Sequence, residues 1–234
     1  MKVLSSTDRR LLPAYTLAEA AHYLNLPLTT LRAWSLGQRY RVGGQPRLFR
    51  PVIHLDGRDP PALSFLNLIE AHLLAAIRRE HGVSLPRVRS ALAYVEKQLG
   101  VNRPLAQARF ETDGVSLFVE RLGQLINASR EGQLAMRSLL AAHLKRIEWD
   151  DDGLPIKFYP FTRRGRSVSQ PAPVVVDPRV AFGRPVLKGS AVPTAVLADR
   201  FKAGDSLSEL SSDYETPAEI IEEALRCEFD RQAA

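Results

Sequence analysis

The stretch Tyr15–Trp34, YTLAEAAHYLNLPLTTLRAW, constrains this chain more than any other. Thr16 followed three residues later by Glu19 is a capping box, in which each side chain satisfies the other's free backbone N–H. Leu17, Ala20, Ala21 and Leu24 then recur at helical spacing. Asn25-Leu26-Pro27 breaks the chain, and a second short helix starts over 28–35. The small Ala20 and Ala21 let that helix approach closely. Two short helices across a tight turn make a helix-turn-helix. On this register Leu31 and Trp34 face the core, and Thr29, Thr30, Arg32 and Ser35 face outward. In such a unit the second helix enters the DNA major groove, where arginine suits bidentate contact to guanine or a phosphate clamp. The competing reading is a protein–protein helical pair with solvated arginines.

Residues 36–61, LGQRYRVGGQPRLFRPVIHLDGRDPP, punctuate short apolar pieces with Gly and Pro. That is how a β-wing reads, with Gly43-Gly44 at its turn. Arg39, Arg41, Arg47 and Arg50 lie in the wing, within reach of phosphates or a minor groove. Residues 62–81 read as a strongly apolar helix stopped by Gly82. Ser84 caps another over 85–99, with Leu85, Val88, Leu92, Val95 and Leu99 on one face and Gly100 past its end.

Further on, residues 106–119 read as two strands around Asp113-Gly114. Helix signals return at 133–147, and IEWDDDGLPIKFYPF reads as a hairpin with Asp152-Gly153 at its turn. TRRGRSVSQPAP is basic and aperiodic, which makes 163–172 a linker. VVVDPRVAFGRPVLKG is an extended pair around a turn. Three helices follow over about 193–203, 206–213 and 217–231, the first opened by Pro193. Ser206 with Glu209, and Thr216 with Glu219, read as two more capping boxes. No internal repeat is evident at a fixed period.

The net charge of +6 is uneven. Residues 1–100 carry 14 Lys+Arg against 7 Asp+Glu, residues 157–190 carry 7 against 1, and residues 199–234 carry 4 against 10. A basic front and connector with an acidic tail imply different partners for different regions, phosphate among them. No apolar run is long enough for a membrane span, and MKVLSSTDRRLLPAYT is too charged for a signal peptide. The lone Cys227 fits a reducing cytoplasm. His22, His54, His72, His81 and His143 show no metal-ligand spacing, and no phosphate loop, dinucleotide fingerprint or nucleophile elbow is present. Asp150-Asp151-Asp152 before Gly153 reads as a solvated turn. Neither catalysis, metal nor cofactor is expected.

Segment 15–99, with its E-A-A stretch, turn and T-L-R-x-W, resembles the MerR-type winged helix. More closely, YTLAEAAHYLNLPLTTLRAW followed by LSFLNLIEAHLLAAIRREHGVSLPRVRSAL resembles the DNA-binding domain of a group of VapB-type antitoxins, and the similarity continues through 101–162. Segment 174–226 is similar to domain of unknown function 433, on the stretches FGRPVLKGSAVPT, AGDSLSEL, Asp213-Tyr214 and EIIEEAL. It departs where Ser190-Ala191 replaces the usual Thr-Arg and Glu215 the usual Pro. The resemblance implies an antitoxin that neutralises a PIN-like ribonuclease, a metal enzyme with clustered carboxylates, and binds operator DNA to regulate its own operon. An arginine can block such a site by pairing with the carboxylates. Arg163, Arg164 and Arg166 in the linker, and Arg184 and Lys188 in the turn, are the expected toxin contacts.

The expected architecture is therefore α+β and mostly α. Residues 1–162 form a DNA-binding domain, made of a winged helix-turn-helix (15–99) and a strand-helix-hairpin module (101–162). Residues 163–172 link it to a small three-helix, helix-turn-helix-like domain with a β-hairpin (173–234). One short recognition helix reads few base pairs, so a homodimer or larger assembly is expected. Its contacts are the 174–188 strands and the stripe Ile220, Ile221, Leu225 and Phe229, unless that stripe is the small domain's own core. The alternative function is a stand-alone MerR-like regulator without a toxin partner.

Overall fold

A computed structural model describes residues 7–55, 59–81, 83–163 and 171–229. After the two-residue strand β1 (Tyr15–Thr16), the first capping box is in place. Thr16 Oγ1 accepts from the Glu19 amide at 3.1 Å, and Glu19 accepts from the Thr16 amide at 2.9 Å. Helix α1 (Leu17–Tyr23) turns through Asn25, which takes the left-handed region at φ 55°, into α2 (Leu28–Leu36). The wing follows as β2 (Gln38–Val42) and β3 (Gln45–Phe49), antiparallel, with Gly43 and Gly44 at φ 58° and 81°. Two consecutive positive φ angles are what a tight two-residue hairpin turn requires. The chain then returns to α2, whose Trp34 carbonyl accepts the amides of Val52 and Ile53 at 2.8 and 3.1 Å.

Strand β4 (Ala62–Leu63) pairs with β1 and leads into α3 (Phe65–His81), every residue of which is buried from 65 to 77. A helix buried on every side belongs at the centre of a fold. Its Glu70 is held by Arg103 through Nε at 2.9 Å and Nη2 at 2.7 Å, and by Asn67 at 3.0 Å. Helix α4 (Leu85–Leu99) runs over the expected residues and ends at Gly100 with φ 62°.

The hairpin expected over 106–119 is absent. Residues 110–114 form one wide helical turn that continues directly into α5 (Val115–Ile126). Phe110, Val115, Phe118, Val119 and Leu122 are all buried, and their helical spacing outweighs the turn preference of Asp113-Gly114. Gly114 sits in the ordinary helical region. Helix α6 (Arg130–Leu144) starts three residues before the expected span, because Ser129 caps it by accepting from Gly132 at 3.1 Å. The hairpin β5 (Ile147–Trp149) and β6 (Pro155–Phe158) closes this part of the chain.

The remaining elements are β7 (Val174–Val175), β8 (Val186–Leu187), α7 (Thr194–Ala203), α8 (Leu207–Asp213) and α9 (Ala218–Phe229). They have a core of their own around Val174, Leu187, Leu197, Leu210, Ile221 and Leu225. They are nevertheless stitched to what precedes. Phe158 and Val176 exchange backbone hydrogen bonds of 2.9 and 2.8 Å, and Val176 packs in the same buried cluster as Tyr15 and Phe158.

A repeat unseen in the sequence appears here. Units α1–α2 and α8–α9 match bond for bond, each position 190 residues after its counterpart. Ser206 and Glu209 form the second capping box. Leu24 to Ala20 (3.1 Å) matches Tyr214 to Leu210 (3.1 Å), and Leu26 to Ala21 (2.8 Å) matches Thr216 to Ser211 (3.1 Å). Asn25 at φ 55° matches Glu215 at φ 48°. Leu31 and Ile221, the corresponding inward residues, are both fully buried. The third capping box is not formed in the way expected, since the Thr216 hydroxyl donates instead to the Tyr214 carbonyl at 2.9 Å.

The stripe on α9 is this unit's core. Ile221 and Leu225 are buried within it, while Ile220 and Phe229 are partly buried against it. A helix-turn-helix must bury one face of its second helix, so Ile221 and Leu225 are not free for a second copy.

Candidate nucleic-acid interface

Helix α2 turns Leu31 and Trp34 into the core and leaves Leu28, Thr29, Arg32 and Leu36 exposed, with Thr30 half-buried. Leu28, Arg32 and Leu36 are four residues apart and so form one outward stripe. Ser35 does not belong to it. It is buried beside Trp34, and its hydroxyl has no hydrogen-bond partner among the described residues. The expectation that Ser35 faces DNA is therefore corrected: it follows Trp34 on the inward arc of the helix.

Arg39 and Arg41 alternate along β2 and so share one face of the wing. Both are exposed, as is Arg50 beyond the hairpin. Neither they nor Arg32 make an ion pair among the described residues. Arg47 stands on β3 opposite Tyr40 in the ladder. Leu48, 62% exposed, pairs with Arg39. Sequence reading gave no role to Leu28, Leu36 and Leu48, which are exposed here. It also missed Arg89 on α4, which lies 5.3 Å over the Phe49 ring and donates to the Arg50 carbonyl, bracing the wing's base. No local pattern links residues 39 apart. At Gly37, with φ 77°, an added Cβ would sit 2.5 Å from the Phe49 carbonyl oxygen, so glycine is what lets β2 leave α2 here.

The side of this unit away from α2 is occupied. Tyr15 Oη donates to the Gly183 carbonyl at 3.0 Å. Glu19 pairs with Arg184, which also hydrogen-bonds Tyr23. His22 lies 3.5 Å from Glu228, whose other oxygen accepts from Thr194 at 2.6 Å. Burial pushes the Glu19 carboxyl up, but hydrogen bonds from Arg184 and Thr16 outweigh it and leave the group below the usual carboxylate range. Burial likewise raises the Tyr15 phenol, keeping it a neutral donor.

The expected toxin contacts divide. Arg163 is tied through Nε at 2.6 Å to the buried Glu223, which also accepts from Thr162 at 2.7 Å. Arg184 is tied to Glu19, and Lys188 is exposed with its ammonium 5.4 Å over the Tyr159 ring. Arg163 and Arg184 are thus ion-paired within the chain, though each keeps about half of its side-chain exposure. Arg164 and Arg166 lie outside the described residues. Asp150, read as part of a solvated turn, accepts from Arg10 at 2.6 Å. Among the described residues no three His, Cys, Asp or Glu are placed to hold a metal ion, and no helix is long and apolar enough to cross a membrane.

Residues 13–92 match a family described as a putative DNA-binding HTH domain, so the helix-turn-helix is a DNA-binding one. Residues 174–226 match the protein family of unknown function DUF433. A Mycobacterium tuberculosis protein named "Putative antitoxin VapB45" is 32% identical over 231 residues, which span 91% of this chain and 92% of that protein. This chain belongs to the VapB45 antitoxin family. A second M. tuberculosis protein, "Uncharacterized protein Rv2308", is 24% identical over 241 residues, 96% of this chain and 92% of its own. The crystal structure of Rv2018 from the same organism superposes with a TM-score of 0.71 at 27% identity, covering 92% of this chain and 98% of that one. The fold of this VapB45 relative, with its helix-turn-helix and its DUF433 unit, is therefore shared over nearly the full length.

Proposed function

We propose that this chain is the antitoxin of a type II pair, a cytoplasmic non-enzymatic repressor that binds its operator and neutralises a PIN-like ribonuclease. The observation that carries this reading is the division of the helix-turn-helix unit. Helix α1 is covered by the C-terminal elements, whereas α2 and the wing keep Arg32, Arg39, Arg41 and Arg50 exposed and, among the described residues, without an ion-pair partner. Exposed arginines on a recognition helix and a wing are the set needed for base reading and phosphate contact. Thr29 and Thr30 add hydroxyls to that face, and Arg47 adds a fifth cation by position. Membership of the VapB45 family supports the toxin partner. Of the cations assigned to the toxin, Arg164, Arg166 and Lys188 are the ones to approach its carboxylates. The chain acts as at least a dimer, since one α2 spans too few base pairs to define an operator.

A second reading, a stand-alone MerR-like regulator answering to a small molecule, is favoured by one feature. A cavity of about 380 Å³ lies between Asp8, Arg9, Arg10, Asp150, Asp177 and Arg179. Co-expression with the adjacent reading frames decides between them. The antitoxin reading expects a small nuclease that co-purifies with this chain and is inhibited by it. Finding no such nuclease, together with operator release by a small charged metabolite, replaces it with the second reading.

A further inference from the structure

The turn that holds Arg184 against α1 carries an unusual residue. Phe182 is 93% exposed, more than any other large apolar side chain described. It also sits in the left-handed region at φ 54°, between Ala181 at 44° and Gly183 at 78°. Side chains other than glycine, asparagine and aspartate rarely adopt that region, and such strain persists only where surrounding structure holds it. The hold is visible. Gly183 donates to Val180 at 2.8 Å, Arg184 to Ala181 at 3.0 Å, and the Gly183 carbonyl accepts from Tyr15. The chain thus keeps a strained backbone whose effect is to place an aromatic side chain almost entirely in water, with little burial gained in return.

The ring's setting indicates what it meets. Arg179 and Arg184 stand on either side in sequence, each retaining roughly half or more of its side-chain exposure although paired with Asp177 and Glu19. Lys188 follows, and residues 157–190 carry 7 basic residues against 1 acidic. An exposed aromatic among arginines is the composition of an interface anchor. Its complement is an apolar socket bordered by carboxylates. We propose that Phe182 is the anchor by which this chain seizes its nuclease partner, entering an apolar socket beside the nuclease's acidic site while Arg179 and Lys188 face that site's rim. This rests on the antitoxin reading above. It moves the main contact from the basic linker to the turn 181–184. Because Gly183 and Arg184 of the same turn grip Tyr15 and Glu19, the partner then docks beside the DNA-binding unit without covering α2.

The test uses the full-length chain and the nuclease from its adjacent reading frame, in calorimetric titration. Phe182→Ala is expected to weaken nuclease binding by about tenfold or more, with the melting temperature and operator affinity kept close to wild type, since the ring buries little within the chain. Phe182→Leu should recover part of the loss. If wild type binds no nuclease, the antitoxin reading fails and this inference with it. If wild type binds and Phe182→Ala binds equally well, the inference alone is overturned. It is also overturned if Phe182→Ala leaves nuclease affinity intact but halves the molar mass in light scattering, which would make the ring a contact between copies.

Discussion

The Glu19 carboxylate is shared between Thr16 and Arg184: one oxygen closes the capping box of α1 at 2.9 Å, and the other pairs with an arginine 165 residues away. One side chain therefore both starts the first helix of the DNA-binding unit and ties it to the C-terminal elements. The two roles are separable by mutation. Arg184→Ala removes the tie and leaves the capping box, whereas Glu19→Ala removes both. Both partners are partly exposed, so a double-mutant cycle by urea unfolding should give a coupling of about 0.5–1 kcal/mol. Additive effects would show that the pair contributes nothing.

Arg32 and Arg41 should fail differently. Arg32→Ala is expected to cost about 1–3 kcal/mol at the operator and relax the preference for the base it reads. Arg41→Ala should weaken all sequences alike and lower the salt slope by about one unit. Anisotropy titrations of both variants over a range of salt will show this. Identical behaviour would remove α2 from the reading role.

Gly183 leaves no room for a side chain. An added Cβ would lie 2.5 Å from Tyr15 Oη, at a φ of 78°. Tyr15 is only 1% exposed and cannot swing aside. Gly183→Ala should therefore destabilise by about 1–3 kcal/mol, combining left-handed strain with a lost hydrogen bond. Tyr15→Phe should cost about 1 kcal/mol. The double variant should be milder than the sum, because removing Oη removes the nearest clash. Thermal melts of the three variants test this.

Acid should loosen the contacts to the C-terminal elements. Burial raises Glu223, but hydrogen bonds from Arg163 and Thr162 outweigh it and hold it below the usual range, as Arg184 and Thr16 do for Glu19. A carboxyl with a depressed folded value adds stability that is full above its unfolded value, near pH 4.5, and is lost as pH falls through the lower folded one. Stability should thus hold from neutral pH to about 5 and decline below. Glu223→Gln should flatten that decline. An unchanged acid limb in the variant would show that Glu223 does not contribute.

What the sequence by itself determined is what short-range bonding controls. Thr16-x-x-Glu19 and Ser206-x-x-Glu209 fix their helix starts through contacts three residues apart. Gly43-Gly44 fixes the wing turn, and the spacing of Leu85, Val88 and Val95 fixes α4. The basic, aperiodic stretch 163–172 and the family resemblance together suggested a two-part organisation. Tertiary structure decided the rest. Asp113-Gly114 has the local preference of a turn, yet the burial of Phe110, Phe118 and Leu122 makes that stretch helical. Ser35 looks polar and outward, but it continues the arc that buries Leu31 and Trp34. The second helix-turn-helix was hidden because the backbone bonds repeat while few of the side chains do. Leu17, Glu19 and Pro27 recur as Leu207, Glu209 and Pro217, whereas Arg32 becomes Glu222 and Trp34 becomes Ala224. The pairs Arg163–Glu223 and Glu19–Arg184 join residues 60 and 165 apart, and no periodicity carries information over such distances. Which arginines lack a carboxylate partner among the described residues is decided only when folding has brought the carboxylates to the others.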